Sequence, residues 1–278
     1  MRYAPIRNES AFESSIRSAS RSNCSASSSF RGSGATSAII GSPIRAIVCL
    51  PTFNELPNLE PMLRALAGVL RAGDRVLVID DNSPDGTGAE ADRLARELDF
   101  VDVLHRPTRE GLGPAYLAGF QRALTDGAEL VLEVDCDFSH DPADVPRLIA
   151  AAESGADLVL GSRYVAGGSV ADWGLIRRAI SRGAALYTGL FLHMGVHDPT
   201  GGFKCFRRQV LEAIDLGAVG SHGYAFQIEM TYRAKRAGFR VVELPIRFAD
   251  RERGRSKMSR AIVLEAIWRV PLLRLRLR

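Results

Sequence analysis

From residue 44 onward the chain repeats one pattern: a short apolar run, a polar turn, then a segment with helical periodicity. The runs are "IRAIVCL", "RVLVID", "VDVLHR", "ELVLEVD" and "DLVLGS", and helices are expected to start at Leu56, about Gly86, Leu112 and Pro142. Runs this uniformly apolar are strands buried on both faces, and strands separated by helices run parallel. The pattern therefore predicts an α/β fold, a parallel sheet with helices on both sides. Farther along, helices are expected at about 177–192, 207–214 and 223–237, and a strand at "RVVELPIRF". No internal repeat interrupts this order.

Such a sheet binds ligands beyond the carboxyl ends of its strands. Those ends read "PTFNE" (51–55), "DDNSPDGT" (80–87), "RPTREGLGPAYLAGF" (106–120), "DCDFSH" (135–140) and "GSRY" (161–164), each polar, glycine-rich or acidic. Asp135 and Asp137 are the sharpest of these features. Residues two apart in an extended segment point the same way, so both carboxylates can converge on one site. Two such anions repel unless a cation lies between them, and Mg2+ or Mn2+ is held by one or two carboxylates together with substrate phosphates. The competing reading is a loop whose aspartates cap the helix near Pro142. At the second strand end one carboxylate of Asp80 and Asp81 could accept hydrogen bonds from a base or ribose, while Asp85 or Thr87 caps the next helix. Glu55 could act similarly or cap the helix at Leu56.

Several other chemistries are excluded. "GLGPAYLAG" offers Gly111 and Gly113 but has Tyr116 where a dinucleotide fingerprint needs its third glycine. No Walker A motif and no G-x-S-x-G elbow occurs. His193 and His197 are spaced i, i+4, but Gly195 between them and the lack of a glutamate beside His193 argue against zinc. Cys24, Cys49, Cys136 and Cys205 form no C-x-x-C pair, as expected in a reducing compartment.

Charge sits at the ends of the chain. The net charge is +4, yet the middle is net acidic, because residues 1–45 hold six arginines against Glu9 and Glu13, and residues 250–278 hold nine basic side chains against three acids. Without a basic, aromatic-lined groove in the middle, nucleic acid is not the expected partner. Residues 1–42, with thirteen serines and no apolar period, are expected to be a disordered Ser/Arg-rich extension. Residues 43–250 form the expected catalytic domain, and 251–278 a basic loop with an amphipathic C-terminal segment. That segment places Ile262, Val263, Ala266, Ile267 and Val270 on one helical side among arginines. Apolar insertion plus attraction to anionic headgroups would hold it on a membrane, expected at the cytoplasmic face; packing on the domain, or docking to a small membrane-anchoring subunit, are the alternatives. The loop "DRERGRSKMSR" carries Lys257, one of only three lysines, and suits a diphosphate or lipid phosphate, or a solvated basic surface.

Taken in order, "PTFNE", "DDNSPDGT", "DCDFSHDP", "GSRYVAGG", "RRAISRGA", "DPTGGFKCF", "GYAFQIEM" and "RGRSK" resemble the dolichyl-phosphate or polyprenol-phosphate mannose synthases of glycosyltransferase family 2. The resemblance spans about residues 46–260. It implies a GT-A nucleotide-diphospho-sugar transferase fold, Rossmann-like, with a mixed sheet flanked by helices. It also implies inverting transfer of mannose from GDP-mannose to a polyprenyl (dolichyl) phosphate. By position, it implies that Pro51, Phe53, Glu55, Ile79 and Asp81 line the nucleotide pocket together with Asp135, Cys136 and Asp137. It implies a Mg2+ or Mn2+ ion on Asp135 and Asp137, with Ser139 as a further contact, and gives Arg163, Arg177, Arg251 and Lys257 to the donor diphosphate and acceptor phosphate. Asp135, Asp137, Arg163 and Lys257 are the implied catalytic residues. Two positions depart from the pattern: Cys136 stands where relatives often have alanine, and Phe53 where they have tyrosine. A sister transferase using UDP-glucose, and an inactive binding or scaffold subunit, are the competing readings.

Overall fold

The computed structural model describes residues 45–249, except 172 and 222, and residues 260–276; the side chains of 176 and 260–267 are also outside the description. Seven strands form one sheet in the order β3-β2-β1-β4-β7-β5-β8. They are β1 (Ala46–Thr52), β2 (Arg75–Asp80), β3 (Val101–His105), β4 (Leu130–Glu133), β5 (Leu158–Ser162), β7 (Lys204–Arg207) and β8 (Val241–Pro245). The short strands β6 (Ser169–Val170) and β9 (Arg247–Phe248) pair separately.

Side-chain alternation along β1 builds two cores. Ala46, Val48 and Leu50 join α1 (Leu56–Ala67), α2 (Thr87–Glu97) and α4 (Val145–Glu153) through Leu59, Met62, Leu94 and Leu148. Ile47 and Cys49 face α3 (Leu112–Thr125), α6 (Arg208–Ala213) and α7 (Gly223–Arg236) through Tyr116, Phe120, Val210 and Phe226. α3 lies close to the sheet because residue 119 is glycine: a Cβ there would meet Ile79 Cδ1 at 2.4 Å. Helix α7 is apolar on both sides, with Phe226 and Met230 facing the sheet and Ile228 and Tyr232 facing outward. The outward side is covered by α5 (Leu175–Leu192) and α8 (Arg260–Arg276).

The expected helices form with small boundary shifts, α2 beginning at Thr87 after Gly86, and α4 following a 3-10 turn over Pro142–Asp144. The strand pattern alone predicts a parallel sheet, and the structure has instead the mixed sheet that the family resemblance implies. β7 runs antiparallel to both β4 and β5, which makes the sheet mixed. Its sequence, "KCFR", looks too polar for a central strand. It lies there because Lys204, fully buried, hydrogen-bonds to α7.

Candidate active site

Beyond the carboxyl ends of β1, β2 and β4 lies a cleft of about 320 Å3. Pro51, Phe53 and Glu55 reach it from β1 and its loop, Asp81 from β2, and Asp135, Cys136 and Asp137 from beyond β4, while Ala115 of α3 and Tyr224 and Gln227 of α7 close one side. After each of these three strands one non-glycine residue adopts the left-handed conformation: Asn54 (φ 55°), Asn82 (φ 56°) and Phe138 (φ 59°). Asparagine tolerates this, but for a bulky residue it costs roughly 1–2 kcal/mol. The Phe138 side chain packs on the core, and Asp137 Oδ1 accepts the Ser139 N–H at 3.0 Å across the same turn.

Asp135 and Asp137 do meet at the cleft, but not through strand alternation. β4 ends at Glu133, and Asp137 arrives by a turn. Asp135 Oδ1 accepts the Tyr116 hydroxyl at 3.2 Å. Burial, then the nearby Asp135 charge, holds the Tyr116 phenol well above its usual pKa, so it remains a donor. Cys136 joins the opposite core, beside Val134.

The two aspartates after β2 divide their work. Asp80 accepts from Thr52 Oγ1 at 3.2 Å and from Ser83 Oγ at 2.6 Å, tying the first two loops together. Asp81 faces the cleft, ion-paired with Arg106; burial pushes its carboxyl above the ordinary range despite that guanidinium. Glu55 occupies the N-cap position of α1 without a side-chain capping bond, and its Oε2 accepts from Asn58 Nδ2 at 2.9 Å.

Three expected positions lie behind the cleft lining. Ile79 is fully buried in the α3-side core and does not line the cleft, because α3 packs directly on it. Ser139 is buried behind Asp137, where its backbone rather than a cleft-facing hydroxyl makes the contacts. Arg163 is buried, and two of its three nitrogens are committed inside the protein: Nε donates to Asp198 Oδ2 at 2.7 Å, and Nη2 donates to Asp198 Oδ1 at 2.6 Å and to Thr200 Oγ1 at 2.9 Å. Arg177 is half-buried, its guanidinium 4.2 Å from the Trp173 ring centroid. Arg251 and Lys257 lie outside the described residues.

Two contributors escaped the sequence reading. Arg109, in the loop after β3, stacks 4.0 Å from the centroid of Phe53 and lines the cleft; a basic residue in a loop already marked as a strand end was the available signal. Gln227 falls within "GYAFQIEM" but, as one polar residue in a helical run, was not singled out. His197 pairs with Glu243 and His193 ends α5, which gives the two histidines separate local roles.

Among the described residues no group of three or more His, Cys, Asp or Glu side chains is arranged to hold a metal. Where β4 meets the cleft, the candidate donors are the carboxylates of Asp135 and Asp137. That suits a hard cation completing its shell with substrate oxygens rather than a closed protein cage.

The glycosyl transferase family 2 model matches residues 47–215. The polyprenol monophosphomannose synthase of Mycolicibacterium smegmatis is 46% identical over 241 residues, 86% of this chain and 91% of that protein. The undecaprenyl-phosphate mannosyltransferase of Micrococcus luteus is 46% identical over 224 residues, covering 81% and 91%. The dolichol-phosphate mannosyltransferase of Pyrococcus furiosus is 34% identical, covering 80% of this chain and 61% of that one. Among solved structures, glucosyl-3-phosphoglycerate synthase from Mycobacterium tuberculosis, in complex with Mn2+, UDP and glucosyl-3-phosphoglycerate, superposes with a TM-score of 0.59 at 19% identity, over 83% of this chain and 79% of that one. The last likeness establishes the GT-A fold, and the sequence matches establish the lineage: the chain is an enzyme of glycosyl transferase family 2.

Proposed function

We propose that this enzyme transfers mannose from GDP-mannose to a polyprenyl (dolichyl) phosphate, inverting the anomeric carbon. The observation that carries the reading is the Asp135–Asp137 pair at the cleft edge of β4, in a chain 46% identical to proteins named for mannosyl transfer to polyprenyl phosphates.

Pro51, Phe53, Glu55 and Asp81 form the nucleotide side of the cleft in this reading. Arg109, stacked on Phe53, adds positive charge where an anionic donor enters. Asp135 and Asp137 would hold Mg2+ or Mn2+, whose contribution is to neutralise charge on the departing diphosphate. The acceptor phosphate is already an anion and needs no strong base. The protein's task is then to align it in line with the sugar and to keep the leaving group stabilised. Arg163 serves by holding Thr200 at the cleft wall, and Arg177, with Arg251 and Lys257, receives the phosphates.

The acceptor's lipid tail calls for a membrane surface. Two helices support one. α5 exposes Leu175, Leu186 and Leu190, and α8 exposes Trp268, Leu272 and Leu275. At 100° per residue each trio falls on one side of its helix. Arg178, Arg182 and Arg276 lie beside the two apolar stripes, a pattern complementary to anionic headgroups. Of the side expected to be apolar, Val270 is buried against α5 and α7, and the side chains of Ile262, Val263, Ala266 and Ile267 lie outside the description. No helix among the described residues is long and apolar enough to cross a bilayer.

The test is transfer from radiolabelled GDP-mannose and, separately, UDP-glucose to polyprenyl phosphate, with and without Mg2+ or Mn2+. Metal-dependent product from GDP-mannose supports the proposal. Product only from UDP-glucose overturns the donor, and no product from either overturns the activity.

A further inference from the structure

Beneath the carboxylate pair lies a buried polar cluster that the transfer chemistry above leaves unused. Glu133 and Lys204 are cross-strand partners on β4 and β7, both fully buried on the α3/α7 side. Lys204 Nζ donates to the Gln227 backbone carbonyl at 2.8 Å and to Gln227 Oε1. An ammonium has only donors, so it fixes the orientation of the Gln227 amide: the carbonyl oxygen faces Lys204 and the NH2 points away.

That NH2 is the unusual group. Gln227 is 2% exposed, its Nε2 has no hydrogen-bond partner, and its side chain lines the cleft. The Glu133 carboxylate lies near enough to be stabilised by the amide but outside bonding geometry, and neither of its oxygens has a partner. With two hydrogens on Nε2, an approach to Glu133 uses one and leaves the other. A buried donor left unpaired costs roughly 1–3 kcal/mol, so a group kept this way calls for a ligand acceptor. Gly202 supplies the space. A Cβ there would lie 3.3 Å from Gln227 Nε2 and 3.9 Å from Asp135 Oδ2. The missing side chain thus leaves a small cradle between an amide donor and a carboxylate acceptor.

A donor beside an acceptor is complementary to a hydroxyl, which can accept from one and donate to the other. It is a poor match for a phosphate, which the Asp135 carboxylate repels. We infer that Gln227 reads one hydroxyl of the nucleotide sugar's transferred hexose jointly with Asp135, and that buried Lys204 is the positioning residue that aims its amide. This rests on the transferase reading but not on which sugar is transferred.

The experiment uses the full chain and a series of donor analogues, each lacking one sugar hydroxyl, measured by transfer and by calorimetric binding. For the wild type, one analogue is expected to lose about tenfold or more in kcat/KM or affinity, since a site built around a hydroxyl rejects its absence. In Gln227→Met that analogue and the parent sugar become equivalent within about threefold, while the other analogues keep their wild-type ratios. Gln227→Met leaves Lys204 its backbone-carbonyl acceptor at residue 227, and the triple variant Glu133→Leu/Lys204→Met/Gln227→Met removes the amide and both members of the buried charge pair together, so it should show the same loss of discrimination with no buried charge left unpaired. Lys204→Met alone shrinks the same single penalty, and Lys204→Arg restores part of it. Uniform loss across all analogues in folded variants overturns the inference and assigns the cluster to stability alone. If UDP-glucose is the donor used, its deoxy series gives the same test although the mannose reading has failed. A wild type that binds neither nucleotide sugar overturns both.

Discussion

Arg163 and Asp198, thirty-five residues apart, form a two-pronged buried ion pair, with Nε and Nη2 of the arginine on the two carboxylate oxygens at 2.7 and 2.6 Å. The backbone N–H of Arg163 also donates to Asp198 Oδ2 at 2.9 Å. The Asp198 charge raises the guanidinium pKa against the opposing effect of burial. A lysine cannot reproduce the fork. Asp198→Ala is expected to destabilise the fold by about 3–5 kcal/mol, because a buried cation loses its counter-charge. Arg163→Lys should lower the unfolding midpoint as well as activity. Thermal unfolding with acceptor-dependence kinetics checks this: a raised acceptor KM with an unchanged midpoint would instead make Arg163 a direct phosphate ligand.

Asp137 bears on the metal. Its Oδ1 accepts the Ser139 N–H beside the left-handed Phe138, so Asp137→Ala also loses that turn bond, a stability cost of about 1 kcal/mol. Turnover should fall at least about 100-fold and lose its response to Mg2+ or Mn2+. Asp137→Asn keeps an acceptor for Ser139 and should restore stability without restoring the metal response. Unchanged metal-dependent turnover in either variant would remove Asp137 from the metal site.

The central strands were legible because each is an apolar run closed by a turn, and the polar strand ends marked the cleft. β7 was not legible. Lys204 and Arg207 disguise a four-residue strand, and only tertiary partners satisfy their donors: Gln227 for Lys204, and the backbone carbonyl of Ala156 for Arg207. Arg163 was visible as a basic residue after β5, but its partner Asp198 lies beyond β6 and α5, so nothing local distinguished a phosphate ligand from half of an internal pair. Gln227 required both the orientation of α7 and the lysine behind it.

The Glu133–Lys204 pair gives stability a definite pH signature. Burial pushes the Glu133 carboxyl up to about 7, with Lys204 pulling it back, and burial lowers the Lys204 ammonium to about 8, with Glu133 opposing. Between the ordinary carboxylate range and about pH 7 the folded chain holds a proton on Glu133 that the unfolded chain has released, so this contribution to stability falls as pH rises through that window. Above about pH 8 the folded chain has lost the Lys204 proton while the unfolded chain retains it, so stability from that group rises with pH. Chemical denaturation of the metal-free protein across this range, compared with Glu133→Gln, should show the acid-side slope vanish in the variant. An identical slope in both proteins would assign the pH dependence to other groups.

Trp268 is 74% exposed on α8 and Leu186 is 76% exposed on α5, while Val270 and Leu273 on the other side of α8 are buried with Leu192 and Tyr232. The packing of α8 therefore does not require Trp268, which leaves its ring available to a surface. Fully burying such a side chain is worth roughly 1.5–3 kcal/mol. Trp268→Ser and Leu186→Ser should each weaken binding to vesicles containing anionic lipid by about tenfold, with little change in thermal midpoint. Arg276→Gln should act chiefly at low salt, because headgroup attraction is screened. Activity on an acceptor with a short, water-dispersed prenyl chain should be retained, whereas activity on long-chain acceptor in vesicles should fall with binding. Sedimentation with neutral and anionic vesicles, beside a measurement of oligomeric state, separates the possible occupants. Equal binding of wild type and variants to anionic vesicles, or self-association lost with Trp268→Ser, would reassign these helices to a protein interface.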